Sequence, residues 1–225
     1  VTALSSNTGL IPSPTVIYTS PGTTGSIRFT PVANANGSTT ISVTVNDGQS
    51  ANNTVTRTFT VTVNAVNDAP TLNTPGNISI AEDSSQQTVN LSGIGSGAAN
   101  ESQTLTITAS SSNTGLIPNP TVTYTSPATT GTLRFTPVAN VAGSATITVT
   151  VNDSQSANNT VSRTFTVNVG AVNDSPTITG ISGATIAINT ATAAIPFTIG
   201  DRETPAASLT LSASSTNAAL VGAAN

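Results

Sequence analysis

Charge is the scarcest property of this chain: acidic and basic residues together make up 6% of its 225 residues, against about 25% in an ordinary globular domain. The basic residues are five arginines, Arg28, Arg57, Arg134, Arg163 and Arg202, set against nine acids. They cannot form a cationic patch that follows a phosphate backbone, so no nucleic-acid partner is expected. Cysteine, histidine, lysine, methionine and tryptophan are absent altogether. The missing cysteine removes disulfides and thiolate chemistry, and the missing lysine removes isopeptide cross-links between lysine and asparagine. Any mechanical strength is therefore noncovalent. A catalyst built from what remains would need a carboxylate pair of the glycosidase kind or a serine with no evident base. Adjacent Glu82 and Asp83 do not make such a pair, because neighbours on a strand point to opposite faces. No enzymatic activity is expected. No apolar run approaches the roughly 20 residues that cross a bilayer, so no membrane insertion is expected within these residues. Val1 opens neither a signal peptide nor a start methionine, which places any secretion signal or anchor outside this stretch.

Threonine takes the place of charge, with 44 residues, and it comes in register with a repeat. A shift of 106 residues, which carries Tyr18 onto Tyr124, lays "IRFTPVAN" on "LRFTPVAN", "VTVNDGQSANNTV" on "VTVNDSQSANNTV" and "AVNDAP" on "AVNDSP". A third, more diverged copy begins at Asn173, where "LTLSASSTNAALV" at 209–221 matches "LTITASSSNTGLI" at 105–117. Such self-similarity has to be recognised before any local reading. It divides the chain into residues 1–66, the later part of one repeat; 67–172, a complete repeat; and 173–225, the early part of another.

Within 67–172 apolar and polar residues alternate, the signature of half-buried strands. Seven candidates follow one another: "NISI", "TVNLSGI", "LTITASS", "TVTYT", "TLRFTP", "SATITVTVND" and "NTVSRTFTVNV". Turn signals such as "TPGN", "IPNP" and "NDSQSANN" separate them. In the sixth, Ile147, Val149 and Val151 share one face and Thr146, Thr148 and Thr150 the other, so hydrocarbon faces an opposing sheet and threonine faces water. The prediction is all-β: tandem seven-stranded β-sandwiches of immunoglobulin-like type.

The phrases "AVNDAP", "IAEDS", "LRFTPVANVAGSATITVTVND" and "IPFTIGDRETPAASLTLSASSTN" resemble the tandem immunoglobulin-like or cadherin-like repeats of very large bacterial surface proteins, over essentially the whole chain. The resemblance implies a secreted protein located at the cell surface or in a filament, whose sandwiches form an elongated rod serving as stalk, matrix fibre or adhesin. Its partners are expected to be neighbouring repeats or copies of itself, end to end, with lateral bundling of rods as a further option. It implies no specific ligand, because such repeats commonly act as spacers. Val1 aligns with Ile107, inside the third strand of a repeat. Two expectations are compatible with that phase. Either neighbouring repeats of a longer array supply the missing strands, or the early part of one molecule completes the later part of the next by strand addition.

The joints carry the only site-like pattern. In cadherins, which the linkers resemble, a linker series of aspartates and asparagine binds calcium together with acids of the neighbouring pole and a D-R-E motif. The linker residues Asn67, Asp68 and Pro70, and Asn173, Asp174 and Pro176, match parts of that set, as do Asp201, Arg202 and Glu203, with Glu82 and Asp83 as the acidic pair; the candidate metal ligands are Asp68, Glu82, Asp83, Asp174, Asp201 and Glu203. Ala65 and Ala171 stand where the first linker aspartate belongs, the second copy has "NESQ" for D-R-E, and in the third Thr190 and Ala191 stand for the acidic pair. Calcium takes six to eight oxygen ligands, so the expectation is weak binding at most. The competing expectation is that Asp68 and Asp174 cap backbone amides in a turn that the following proline fixes.

Arg57 and Arg163 have the parity of inward residues, and a charge there needs a partner. Asp47 and Asp153, across the hairpin, are the expected ones. The threonine ladders are read as outward faces kept soluble without charge. Near-identical copies suit a structural fibre. A ligand-binding adhesin module, for carbohydrate or cell-surface attachment, would instead concentrate divergence and aromatics in its loops, whereas Tyr18 and Tyr124 fall in predicted strands.

Overall fold

β-branched residues at every second position leave the chain little choice but to extend, and hydrogen bonding of those segments builds the structure. The structure is a computed structural model, and it describes residues 1–221. In chain order its strands are β1 (Thr2–Ser5), β2 (Thr15–Ile17), β3 (Ser26–Arg28), β4 (Gly37–Asn46), β5 (Thr54–Val63), β6 (Ile78–Ala81), β7 (Gln87–Ser92), β8 (Thr106–Ser111), β9 (Thr121–Thr123), β10 (Thr130–Phe135), β11 (Gly143–Asn152), β12 (Thr160–Gly170), β13 (Thr177–Thr179) and β14 (Thr198–Gly200). One 3-10 turn, Ala206–Ser208, accompanies them. The chain divides into two compact units, Val1–Val169 and a second beginning at Gly170. The last four residues of the third repeat, 222–225, lie outside the described residues.

In the first unit, β6 to β12 form two sheets, β6-β12-β11-β8 and β7-β10-β9. Strands β11 and β12 pair antiparallel over ten residues, from Gly143 opposite Val169 to Asn152 opposite Thr160. Alternation then decides the faces. Ile147, Val149, Val151, Phe165, Val167 and Val169 turn inward and meet Val89, Leu91, Leu133 and Phe135 of the other sheet in one apolar cluster. All seven strands expected of this repeat are present, and the fold is an immunoglobulin-like sandwich. The segment "TVTYT" is strand only to Thr123, and Tyr124 leaves the ladder to pack against the core. Outward hydroxyls pair across the ladder, Thr150 with Ser162 at 2.8 Å and, in the first copy, Thr44 with Thr56 at 2.8 Å. Threonine thus satisfies a solvent face with its own kind instead of with charge.

Residues 1–63 repeat the later part of this plan. A sheet β1-β4-β5 and a pair β2-β3 occupy the places of β8-β11-β12 and β9-β10, with β4 and β5 in the same ten-residue register as their counterparts. Residues 1–63 align with the repeat from β8 onward. Its buried cluster shrinks to Leu10, Ile11 and Ile41.

The second unit holds the complementary part. Strands β13 and β14 pair with Thr177 opposite Gly200, matching the Thr71–Gly95 bridge of the complete repeat. The segments 184–187 and 193–197, which align with β6 and β7, belong to no strand, and Ile186, Ile188, Ile195 and Phe197 are exposed.

Candidate functional site

The linker between the first two copies runs over the pole of the complete repeat, and it is organised by amides. The β11–β12 hairpin closes through the Asp153 N–H, which donates to the Asn159 carbonyl at 3.0 Å. Asn158 stands at φ 50°, the left-handed region that asparagine tolerates. This geometry folds Asp153 inward to 1% exposure. A buried carboxylate has to be compensated. Its Oδ1 accepts the Gln155 N–H at 2.9 Å, and its Oδ2 accepts from the Asn67 side-chain amide, also at 2.9 Å.

Asn67 is the hub of this pole. Its Nδ2 lies within hydrogen-bond distance of Asp153 Oδ2, the Ala157, Asn158 and Asp68 carbonyls, more oxygens than its two hydrogens can serve at once. Its Oδ1 accepts from Gln103 Nε2 at 2.8 Å, and its carbonyl accepts from Asn158 Nδ2 at 3.0 Å. One asparagine thereby ties the linker to both the hairpin and the strand entry at 103. Gly97 lets the next loop approach: it has φ 113°, and a Cβ there would sit 2.8 Å from the Ala69 carbonyl oxygen. Beside the hub lies an open polar depression of about 400 Å³, lined by Asn36, Val66, Asn67, Asn100, Glu101 and Gln155 among others.

The predicted acids are dispersed. Asp68 gives its own N–H to Glu101 Oε1 at 2.8 Å, and Asp174 gives its N–H to Glu203 Oε2 at 3.0 Å. In both turns a glutamate from a later loop accepts the aspartate's amide. Asp201 Oδ1 accepts from the Glu203 and Thr204 amides, shaping that loop. Glu82 is buried, and Asp83, at φ 61°, accepts the Asn140 N–H at 2.8 Å. Asn140 precedes β11 and Asp153 follows it, so Glu82 and Asp83 stand at the pole opposite Asp68, roughly 30 Å away along ten residues of strand. In the third copy the same turn falls at Ile188 and Asn189, the latter at φ 60°, two residues before the Thr190–Ala191 pair expected there. Among the described residues no group of three or more acids comes together. Calcium would need several carboxylates converging on one point.

The expected pairing of arginine with aspartate is also absent. Arg163 does lie on the inward side, opposite Val149, yet its guanidinium donates to the Ser162 carbonyl at 3.0 Å. Arg57 does the same with the Thr56 carbonyl at 3.2 Å. Their long apolar stems carry the charge out to water, and Asp153 is satisfied by neutral amides instead. Sequence reasoning placed Asn67 in the linker series but not at a hub, and it missed Gln103, Glu101 and Asn158 as its partners. The one available signal was the recurrence of "VND" and "NN" in both copies.

A family model described as a bacterial Ig domain matches residues 2–62 and 67–168. Among solved structures the chain is similar to domains 1–6 of the surface layer protein SbsC, with a TM-score of 0.32, 20% identity and coverage of 79% of this chain and 21% of that one. It is similar to SbsC domains 4 and 5 at a TM-score of 0.32 and 18% identity, covering 74% of each chain. Tandem Ig repeats of Dlar give a TM-score of 0.32 at 16% identity, over 50% of this chain and 55% of theirs. The chain thus spans about a fifth of the six-domain SbsC structure. No curated protein matches the chain.

Proposed function

The chain belongs to the bacterial Ig domain family, and from that premise we propose that it is a structural segment of a secreted surface protein, its sandwiches following one another end to end as a stalk or fibre. The observation that carries this reading is the equivalence of the copies. Strands β4 and β5 reproduce β11 and β12 residue for residue in register, and the outward faces carry paired hydroxyls in both. A repeat that serves as spacer has to be interchangeable, and its stability is a sum of unit and junction terms. The Asn67 hub supplies such a junction through side-chain amides. Tyr124 supports the same reading: it packs against the core and is not offered to a sugar ring.

The test is made on the producing bacterium. Immunogold labelling with antibody against the complete repeat, combined with protease shaving of intact cells, should place the label outside the cell at regular distances from the envelope. Label confined to the cell interior overturns the proposal. A glycan array probed with the same chain distinguishes the adhesin reading, for which selective binding to one sugar class is required.

A further inference from the structure

Asparagine followed by glycine occurs once in this chain, at Asn36–Gly37. That dipeptide carries a chemistry of its own: the glycine's backbone nitrogen attacks the asparagine side-chain carbonyl carbon, forms a C–N bond that closes a succinimide ring, and expels the amide nitrogen as ammonia. Water then opens the ring at either carbonyl. One opening leaves aspartate and the other isoaspartate, so the sum of the reaction is asparagine and water to acid and ammonia. A Cβ on the second residue crowds the ring, and glycine has none.

The fold leaves room for the reaction. Asn36 is exposed, Gly37 stands at φ 129°, and a Cβ built on it would meet, beyond its chain neighbours, nothing closer than Leu10 Cδ2 at 4.0 Å. Gly37 opens β4 and stands opposite Val63, the last residue of β5, so ring closure needs only the outermost rung of the ladder to part, and terminal rungs open most readily. The exposure belongs to the position in the fold: Ala142, its counterpart in the complete seven-stranded repeat, is exposed as well. Asp47–Gly48 shows the opposite arrangement. There the glycine N–H donates to Asn46 Oδ1 at 2.6 Å and the aspartate Oδ1 accepts the Gln49 N–H at 3.0 Å, so both groups that would close the ring are engaged.

We propose that Asn36 is a site of spontaneous deamidation, which places a new carboxylate in the joint between the first two repeats. Asn36 Oδ1 lies 3.5 Å from Asn100 Nδ2 of the next repeat, and both residues line the polar depression beside the hub. Conversion brings a second carboxylate into a depression already lined by Glu101, whose Oε1 holds the Asp68 N–H of the linker. Isoaspartate in addition lengthens the main chain by a methylene at the entry to β4. The joint thus carries a slow, irreversible change of charge, set by time and pH. The complete repeat, with Ala142 before Gly143, has no such reaction at this place. The proposal goes beyond the fibre reading and does not rest on it.

The full chain, kept folded at neutral and at mildly alkaline pH, is sampled over time and cut with trypsin, which releases residues 29–57 between Arg28 and Arg57. Fragmentation mass spectrometry locates each deamidated asparagine, and isoaspartate is scored by its methylation with isoaspartyl methyltransferase. Asn36 is expected to convert at least tenfold faster than any other asparagine, faster at the higher pH because the attacking nitrogen has to lose its proton, and to give both acids. Ala142→Asn writes the same dipeptide onto the complete repeat at an exposed position and should acquire the reaction at a comparable rate. Conversion at Asn36 no faster than at the other asparagines overturns the proposal. So does conversion only in denaturant, since the folded joint would then protect the dipeptide, and a silent Ala142→Asn variant overturns the assignment to this position of the fold. The labelling experiment on cells is unaffected by any of these results.

Discussion

Phe59 and Phe165 sit at the same place in two nearly identical repeats, yet Phe59 is 41% exposed and Phe165 is 2% exposed. Val45 and Val151 differ in the same way, at 46% and 0%. The strands that carry them are alike in sequence and register, so local propensity is not the cause. The difference is β6 and β7, which cover the second copy, whereas residues 1–63 align only with the repeat from β8 onward. Burial is a property of the partner sheet, and a hydrophobic alternation is only an offer to be covered. Ile41, in contrast, is as buried as Ile147, because the strands and loops that cover it lie within residues 1–63 itself, with Leu10 and Ile11.

The comparison can be broken most forcefully by truncating the two phenylalanines. Phe165→Ala should cost about 3–5 kcal/mol, the loss expected for a buried aromatic, whereas Phe59→Ala in the isolated monomer should stay within about 1 kcal/mol. Hydrogen exchange read on peptides of β12 and β5 separates the two effects, and equal losses would mean that the first copy is covered after all. The poles give the next largest contrast. Asn67→Ala leaves the buried Asp153 carboxylate short of a donor and should cost about 1–3 kcal/mol, while Asp47→Ala in the monomer should be neutral to about 0.5 kcal/mol. Thermal unfolding of the two variants reads this, and a neutral Asn67 variant would remove the hub from the account of the joint.

Smaller effects sharpen the chemistry. Arg163→Ala should change stability by no more than about 0.5 kcal/mol, since its guanidinium meets only a neighbouring carbonyl; a loss several times larger would restore an ion pair with Asp153. Saturating calcium or a chelator should leave the melting temperature where it is, and a rise with calcium would show that the acids can be gathered into a site.

Much of the complete repeat was legible because strand alternation is local. Residues 143–152 alternate without a break, and the structure makes a ten-residue strand of them. The hub was illegible for the opposite reason: Asn67 meets Asp153 and Asn158 from 86 and 91 residues away. No window on the sequence contains both partners. The acids were legible only as a motif, and the strands place Asp68 at one end of β11 and Asp83 at the other. Arg163 misled in a different manner, since parity fixes where a Cβ points but not where a long flexible side chain ends.

By itself the sequence determined the period of the repeat, the seven strands, which side chains face inward and the exclusion of thiol, imidazole and amine chemistry. These follow from composition and from a two-residue periodicity that the backbone imposes wherever it is extended. Only the tertiary structure decided which inward faces are covered, which asparagine closes the pole and how far apart the carboxylates stand. Each of these depends on groups distant in sequence meeting at one place, and burial, hydrogen bonding and metal coordination are all set by that meeting.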